Sequence, residues 1–395
     1  MKKILVLIFT FIICGCGYDK YAIPEGAYIT IDETPIETYN ELNLYDLIED
    51  TNVEITTDNN SLDTTKLGKN TITIDYVYEK RDYKFDISYE VVDTTPPTFI
   101  SASSVRTIIK NNDAYFCDNI VYADDYDKHP TCRIEGEYDL TTTGVYNVQY
   151  ILEDQSGNTK SKNLKINVVD EISSSGGSSS SSNQNHLEFS DAISKYKTDT
   201  TEIGIDVSRW QGEIDWQKVK DAGVEFVIMR IGVQSDYDKE ISVDSYYYQN
   251  IQGAKDVGLK VGVYVYTTAI NKEMAIDHAK WVLEILDGTE LDFPIAYDWE
   301  NWNKFMNYEI NLKDFSNCFN YFYQEVQKEG YEAMLYSSKF YLEDIWINKN
   351  NYPVWLAHYT ESTNYEGDYI LWQLSNTGRV DGIDGNVDID VYYKK

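Results

Sequence analysis

The sequence predicts a multidomain chain in which two all-β sandwiches precede an irregular α/β barrel. Three observations predict this. Between residues 20 and 170 apolar and polar residues alternate with period two, and the pattern repeats weakly. A Ser/Gly-rich tract, EISSSGGSSSSSNQNH, interrupts the chain at 171–186. From Gly204 onward, short apolar runs alternate with helical periodicities. The 395 residues suffice for two to four domains and at least one sizeable core.

The chain opens with MKKILVLIFTFIICGC. Lys2 and Lys3 precede an apolar run that ends at Ile13, too short to span a bilayer as a mature helix and built like a signal peptide. Ile13-Cys14-Gly15-Cys16 resembles a bacterial lipobox, which implies cleavage within 1–16 and a lipid on Cys16. The formal net charge of −32 excludes nucleic acid as a partner, because no basic surface exists to displace counterions from phosphate. It also excludes electrostatic adhesion to anionic lipids or wall polymers. Export permits a disulfide, and Cys117 with Cys132 is the candidate pair within one small β domain; closing that loop would contribute about 3 kcal/mol. Cys318 lies on the stripe of Phe315, Phe319 and Phe322 and reads as a buried free thiol. The four His residues (His129, His186, His278, His358) are scattered, and no Cys/His spacing suggests zinc.

The β region divides at Asp93-Thr94-Thr95-Pro96-Pro97. The segment GKNTITIDY (68–76) is echoed by GVYNVQYIL (144–152), and each is followed by a strand ending in Val-Val-Asp, at 91–93 and 168–170. The turn EDQSGN (153–158) is a hairpin by composition. The joint resembles that between tandem bacterial immunoglobulin-like domains, which places one such domain at 17–95 and another at 96–170, both read as spacers. Residues 171–202 follow as a flexible linker. A coil of the tract's sixteen residues reaches roughly 20–25 Å, so the last domain, 203–395, was expected to swing.

In that domain the strand IGIDVS (203–208) precedes a helix at 215–223, and FVIMRIG (226–232) precedes a helix ending near Gly258. KVGVYVY (260–266) precedes a helix over 271–287. Then come PIAYDWE (294–300), a helix at 311–329 with Leu312, Phe315, Phe319, Phe322 and Val326 on one stripe, and strands near 331–337, 353–358 and 369–374. Gly330 stops the 311–329 helix. Continuously apolar strands alternating with helices mean a parallel sheet, most simply a TIM-like barrel made irregular by the loss of helices in its final third.

Chemistry in such a barrel collects where strands end. The strand ends supply Asp206, Arg230, Tyr266, Asp298 with Glu300, Tyr336, Trp355, Gln373 and Asp388. In PIAYDWENWN (294–303), alternation along a strand would aim Asp298 and Glu300 to one side and Trp299 to the other. Acids held that close raise one another's pKa, which serves acid–base work better than a structural strand. Asp384 and Asp390 are explained as surplus rim charge. Asp381-x-x-Asp384-x-x-x-Asp388-x-Asp390 does not fit the calcium loop spacing, and no metal is assigned.

GIDVSRWQG (204–212), FVIMRIG (226–232), VGVYVY (261–266), AYDWE (296–300), LYSS (335–338), VWLAHY (354–359), LWQ (371–373) and GNVD (385–388) occur in the order found in the family 25 glycoside hydrolases. The last domain resembles these lysozymes of the Chalaropsis type over 203–393. Departures are Asp390, where the family often has Asn, and Tyr297 and Trp299, where other hydrophobic residues are more usual. The resemblance implies cleavage of the β-1,4 bond between N-acetylmuramic acid and N-acetylglucosamine in peptidoglycan. It makes Glu300 the general acid and Asp298 the ionised partner, with Asp206 and Asp388 orienting them. Tyr266, Tyr336, Trp355, Arg230 and Gln373 would bind substrate. The reading therefore takes the chain as a monomeric, cofactor-free, lipid-anchored protein of the outer face of the bacterial membrane, with peptidoglycan glycan strands as partner. The alternative is a catalytically silent peptidoglycan-binding lipoprotein.

Overall fold

A computed structural model describes residues 21, 23–172, 186–235, 240–347 and 349–394. The expected signal segment 1–16 with Cys16, and the linker stretch 173–185, lie outside the described residues.

The first β unit contains Ile29–Ile31 (β1), Ile36–Glu37 (β2), a one-turn helix Leu44–Leu47 (α1), Ile48–Thr51 (β3), Glu54–Ile55 (β4), Gly68–Tyr78 (β5) and Arg81–Val92 (β6). β1 pairs β3, and a second sheet runs β2-β6-β5-β4. Alternation buries Ile74 and Tyr76 of β5 with Tyr83, Ile87, Tyr89 and Val91 of β6. Glu79 and Lys80 join these strands with φ of 47° and 63°, the left-handed pair a two-residue hairpin turn demands.

The second β unit repeats the plan with Thr98–Ser101 (β7), Val105–Ile109 (β8), Val121–Ala123 (β9), Thr131–Glu135 (β10), Gly144–Glu153 (β11) and Thr159–Val169 (β12). One sheet runs β10-β11-β12-β8 and the other is β7-β9. Val148, Tyr150, Leu152, Leu164, Ile166 and Val168 form the inner face, and Phe99 meets Tyr150 edge-on at 6.3 Å. Cys117 and Cys132 are joined, with Cα atoms 5.9 Å apart, tying the 3-10 turn Phe116–Asn119 to β10.

The last domain contains Leu187–Glu188 (β13), Phe189–Tyr196 (α2), Thr201–Val207 (β14), Trp216–Asp221 (α3), Phe226–Gln234 (β15), Ile241–Val243 (β16), Tyr247–Asp256 (α4), Lys260–Tyr266 (β17) and Lys272–Leu286 (α5). It continues with Ile295–Asp298 (β18), Leu312–Gln327 (α6), Ala333–Ser338 (β19), Lys339–Asp344 (α7), Val354–Ala357 (β20), Leu371–Arg379 (β21) and Val387–Tyr393 (β22). Strands pair in the order β21-β20-β19-β18-β17-β15-β14-β22, and β22 returns to β21, so the sheet closes on itself. From β14 to β21 neighbours are parallel, whereas β22 is antiparallel to both β14 and β21. The physical reason is the short connection 380–386, which leaves no room for the crossover of a dozen or more residues that a parallel neighbour needs.

The α6 stripe packs as its periodicity predicts. Leu312, Phe315, Phe319, Phe322 and Val326 are all buried, the Asn311 side chain caps the first turn by accepting from Asp314 N at 2.7 Å, and Gly330 takes φ +82° after the helix. Cys318 is a buried free thiol.

Two expectations change. The linker expected over 171–202 does not run that far, because Leu187–Glu188 pairs with Gly378–Arg379 and α2 buries Phe189 and Ala192 in the barrel core. Two apolar residues one helical turn apart in the polar run FSDAISKY are a weak signal, but enough to seat a short helix. Nor does the barrel stand clear of the second β unit. Ile100 of β7 and Ala123 of β9 belong to the barrel's own hydrophobic cluster, against the 3-10 segment Trp302–Tyr308. Leu312 N donates to Asp124 O at 2.8 Å, Asn311 Nδ2 donates to Tyr126 O at 3.0 Å, and Lys128 pairs with Asp314 at 3.1 Å.

This docking yields a prediction. Ile100→Asp, which forces an unpaired charge against buried apolar surface, will undock the β unit. Hydrogen exchange at the Leu312 amide should speed up by about ten-fold or more while amides of β11 and β12 stay protected. Unchanged exchange at Leu312 would contradict the interface.

Candidate active site

All nine barrel residues singled out in the sequence line one cleft of about 330 Å³: Asp206 on β14, Arg230 on β15, Tyr266 on β17, Asp298 on β18, Glu300 just beyond it, Tyr336 on β19, Trp355 on β20, Gln373 on β21 and Asp388 on β22. The parallel strands deliver their last residues to the same end of the barrel, and the reversed strand β22 delivers its first ones there. Register puts Asp388 opposite Asp206 and Tyr336 opposite Asp298. A second hollow of about 670 Å³ shares Glu300, Tyr336 and Tyr359 with the first and extends to Trp302, Tyr341 and His358.

β18 ends at Asp298, so Glu300 is not a strand residue as the alternation argument assumed. What sets Glu300 apart from the two residues before it is exposure. The indole is fully buried and packs edge-on against Trp302 and Phe315, each ring 4.7 Å away. Asp298 is 5 % exposed, with its carbonyl accepting from Thr267 N at 2.8 Å. Glu300 is solvent-exposed at the cleft mouth. With Trp299 locked into the aromatic cluster, the acid before it stays in the barrel wall and the acid after it reaches the opening.

Hydrogen bonds organise the floor. Gln373 Nε2 donates to Asp206 Oδ2 at 2.7 Å, while Gln373 Oε1 accepts from the hydroxyls of Tyr336 (2.8 Å) and Tyr359 (2.9 Å). An amide that receives two hydroxyl protons at its oxygen must present its nitrogen to Asp206, so the network sets the orientation of Gln373. Trp355 Nε1 donates to Asp390 Oδ1 at 2.8 Å.

Every acid in the cleft holds its proton more tightly than a free carboxyl. Burial raises Asp298 well above the usual range, and the charges of Glu300 and Asp206 raise it further against the opposing pull of Arg230. Glu300 is raised by desolvation, despite its exposure, because the cleft walls thin the water around it. Asp206 is raised by burial and then by Asp390. Asp388 is pushed up to about 8 by burial, then by Asp206 and Glu300. Arg230 opposes the rise at Asp298 without cancelling it, and desolvation is the cause of the rise at Glu300.

Trp355 and Tyr336 line the cleft but are buried, 1 % and 8 % exposed; their rings meet edge-on at 4.7 Å, and each gives its polar atom to the network. The Arg230 guanidinium is held by Asp244, Nε at 2.7 Å and the terminal nitrogen at 2.6 Å, and acts on the acids through its charge. Asp390, taken for surplus rim charge, is completely buried, whereas Asp384 is exposed as expected. Sequence reasoning missed Trp210, Tyr264, Tyr359 and Asn376 as lining residues. Tyr264 was legible, since it shares the parity of Tyr266 on β17. Trp210 (73 % exposed), in the 3-10 turn Arg209–Gln211, and Tyr359 (50 %), in a loop, lie beyond strand ends, where periodicity gives no guide, and they are the open aromatic surfaces of the cleft.

The family described as Glycosyl hydrolases family 25 matches residues 205–383. The uncharacterized protein YegX of Escherichia coli strain K12 is 32 % identical over 193 residues, covering 48 % of this chain and 68 % of that protein. The autolytic lysozyme of Clostridium acetobutylicum is 29 % identical over 203 residues, and the match spans 48 % of this chain and 55 % of that one. Among solved structures, the family 25 glycosyl hydrolase from Bacillus anthracis is 19 % identical with a TM-score of 0.43, covering 51 % of this chain and 93 % of that chain. The modular autolysin LytC from Streptococcus pneumoniae is 25 % identical with a TM-score of 0.45, covering 62 % and 56 %.

The raised acids predict how stability depends on pH. A carboxyl whose folded pKa exceeds its unfolded value keeps a proton that the unfolded chain has lost. Its contribution is therefore complete below the unfolded pKa, about 4, and is lost as pH rises to about 8 for Asp388. Thermal melts should fall over that window. Asp388→Asn should flatten the fall and be more stable than the parent at pH 8 by ~2 kcal/mol, a fraction of the full linkage because this carboxyl stays partly wet. A variant no more stable than the parent at pH 8 would contradict the shift.

Proposed function

The chain belongs to glycosyl hydrolases family 25 through its last domain, and from that premise we propose that it is a peptidoglycan hydrolase, an N-acetylmuramidase cleaving the β-1,4 bond between N-acetylmuramic acid and N-acetylglucosamine. The observation that carries this reading is the pairing of a buried Asp298, facing a guanidinium, with a solvent-open Glu300 at one cleft.

Glu300 is the general acid. Raised by desolvation and open to the cleft, it is the acid placed to pass a proton to the leaving glycosidic oxygen. Asp298 is the ionised partner that stabilises the oxocarbenium-like transition state from the barrel wall. The substrate's own acetamido oxygen is the attacking group, since an N-acetyl sugar brings its nucleophile with it; water then opens the resulting ring with Glu300 as base. Asp206 and Asp388 orient the pair and receive sugar hydroxyl or amide protons. Trp210 and Tyr359, rather than Trp355 and Tyr336, offer faces to sugar rings.

The proposal extends to the remaining chain. The two-sheet β units are read as immunoglobulin-like domains, and the lipobox-like ICGC as the site that anchors the protein at Cys16 on the outer face of the membrane. Among the described residues no helix is long and apolar enough to cross a membrane. Lipid and β domains then hold the cleft at the height of the wall polymer.

The test is release of reducing ends from purified peptidoglycan, with mass analysis of the fragments. Wild type should release muramic-acid reducing ends, and Glu300→Gln should lower the rate roughly 10²–10⁴-fold with little change in binding. A wild type that binds the polymer but releases none would return the chain to a silent binding role.

A further inference from the structure

Arg209 and Trp210 stand side by side at the cleft, and the hydrolytic reading uses only the indole. Trp210 lines the cleft and is largely exposed. The Arg209 guanidinium lies over that ring, its central carbon 4.8 Å from the centroid, and is exposed as well. Both belong to the 3-10 turn that follows β14, and hydrogen bonds fix this turn on both sides of the strand. The Arg209 amide donates to Asp244 Oδ2 at 3.1 Å, and the Trp210 amide donates to Ser208 Oγ at 3.3 Å. Gln211 Oε1 accepts from Ser208 N at 2.8 Å, and Gln211 Nε2 donates to Asn386 O at 3.2 Å, beside the start of β22. A platform tied in this way needs little ordering when a ligand arrives.

The two guanidiniums at this end of the barrel differ in what they can still bind. Arg230 is buried and gives its donors to Asp244. Arg209 pairs with no carboxylate among the described residues, in a chain with 66 Asp and Glu against 34 Lys and Arg. A guanidinium held over an indole keeps its in-plane N–H donors, a fork that fits a carboxylate. A glycan that stacks a sugar on Trp210 brings that sugar's neighbouring substituents to this fork. In the polymer of the proposed reading, muramic acid carries a 3-O-lactyl arm that ends in a carboxylate or in a peptide with carboxylates of its own.

We propose that Arg209 is a specificity-determining residue of the cleft, binding a carboxylate on the lactyl arm of muramic acid, the arm's own or that of an attached peptide, while the strand stacks on Trp210. The proposal rests on the hydrolytic reading for the identity of the glycan and adds which part of it is read. The net charge of −32 opposes an anionic polymer at long range, but salt screens that field beyond about 8–10 Å, whereas a guanidinium at contact is screened much less. Recognition of the arm lets the cleft prefer muramic-acid strands over neutral N-acetylglucosamine polymers, which aromatic faces alone would not distinguish.

The test uses the full chain carrying Glu300→Gln, so that ligands are bound without being cleaved, with and without Arg209→Gln. Both positions are exposed, so neither change burdens folding. Three glycan probes of equal length are titrated by calorimetry: strands with peptide stems, strands stripped of stems so that the lactyl carboxylates are bare, and stripped strands with those carboxyls converted to amides. Arg209→Gln should weaken binding of a carboxylate-bearing probe roughly 5- to 10-fold and leave the amidated strands within about 2-fold. A loss confined to stem-bearing strands assigns the peptide carboxylate, and one confined to bare strands assigns the lactyl carboxylate. The difference should shrink as salt rises, and Arg209→Lys should restore part of it. Equal binding with and without Arg209→Gln, or an equal loss on the amidated strands, would overturn the proposal. In the otherwise wild-type chain, Arg209→Gln should raise KM by the same factor with kcat within about 2-fold. If the wild type releases no reducing ends while binding still depends on Arg209 and on the carboxylate, the recognition site stands and only the hydrolytic reading falls. If it cleaves all three probes equally well with and without Arg209→Gln, the hydrolytic reading stands and the recognition site falls.

Discussion

Five carboxyl groups meet at one end of a closed sheet, and the guanidinium beside them is already paired with Asp244. That imbalance is the constraint on which the remaining structure depends. Unit charges at contact distances in a protein interior repel by several kcal/mol, so a barrel with all five ionised would open. The chain meets the constraint by retaining protons, by drawing Gln373 between Asp206 and two tyrosine hydroxyls, and by leaving Glu300 at the solvent. Burial raises every one of these acids above the usual carboxyl range, which is the kind of shift that acid–base chemistry uses.

β22 makes this arrangement. A parallel eighth strand would have carried the ends of its side-chain row to the cleft; an antiparallel one brings its beginning, Val387-Asp388-Ile389-Asp390, to the same mouth. Period two then sends both acids inward, Asp388 level with Asp206 and Asp390 one step deeper. The irregular closure that follows from the short 380–386 connection is thus the feature that supplies two of the five acids, Asp388 and Asp390.

The opposite wall depends on aromatic packing. Trp299, Trp302, Phe305, Phe315 and Trp346 form a continuous cluster directly behind Glu300, and Ile100 and Ala123 of the second β unit join the same hydrophobic body. The segment that carries the exposed acid is consequently supported from two domains. A Ser/Gly tract between those domains suggested independence, yet buried apolar contact and the bonds to Asp124 and Tyr126 hold them together. Composition describes what a tract can do on its own; surface complementarity decides where its flanks rest.

Much of the barrel was legible because its signals are strong. Buried parallel strands such as 226–232 and 260–266 are continuously apolar, and α6 shows its stripe without ambiguity. The cleft was legible too, since strand ends in such a sheet converge whatever the loops do. What the sequence hid were choices made by tertiary environment. Trp355 looks the same whether it faces a sugar or a buried carboxyl, and only the strand register places Asp390 within its reach. Asp390 and Asp384 are indistinguishable as letters near the chain's end, yet one lies at the centre of the barrel and the other in water.

The same contrast of environment separates Asp298 from Glu300, to which the proposed hydrolysis gives unlike tasks. Both carboxyls are raised by desolvation, so neither is distinguished by direction alone. The difference lies in what each can reach. Asp298 is enclosed and feels the charge of Arg230, which suits the charged partner that the proposed hydrolysis needs. Glu300 touches bulk water, from which the general acid of the proposed hydrolysis would be reloaded. The fold separates the two by ending β18 at Asp298 and burying Trp299 as a wedge between them. Replacing that wedge with a small residue would let the 3-10 segment relax, and the two acids would lose the difference in solvent access on which the proposed division of labour rests.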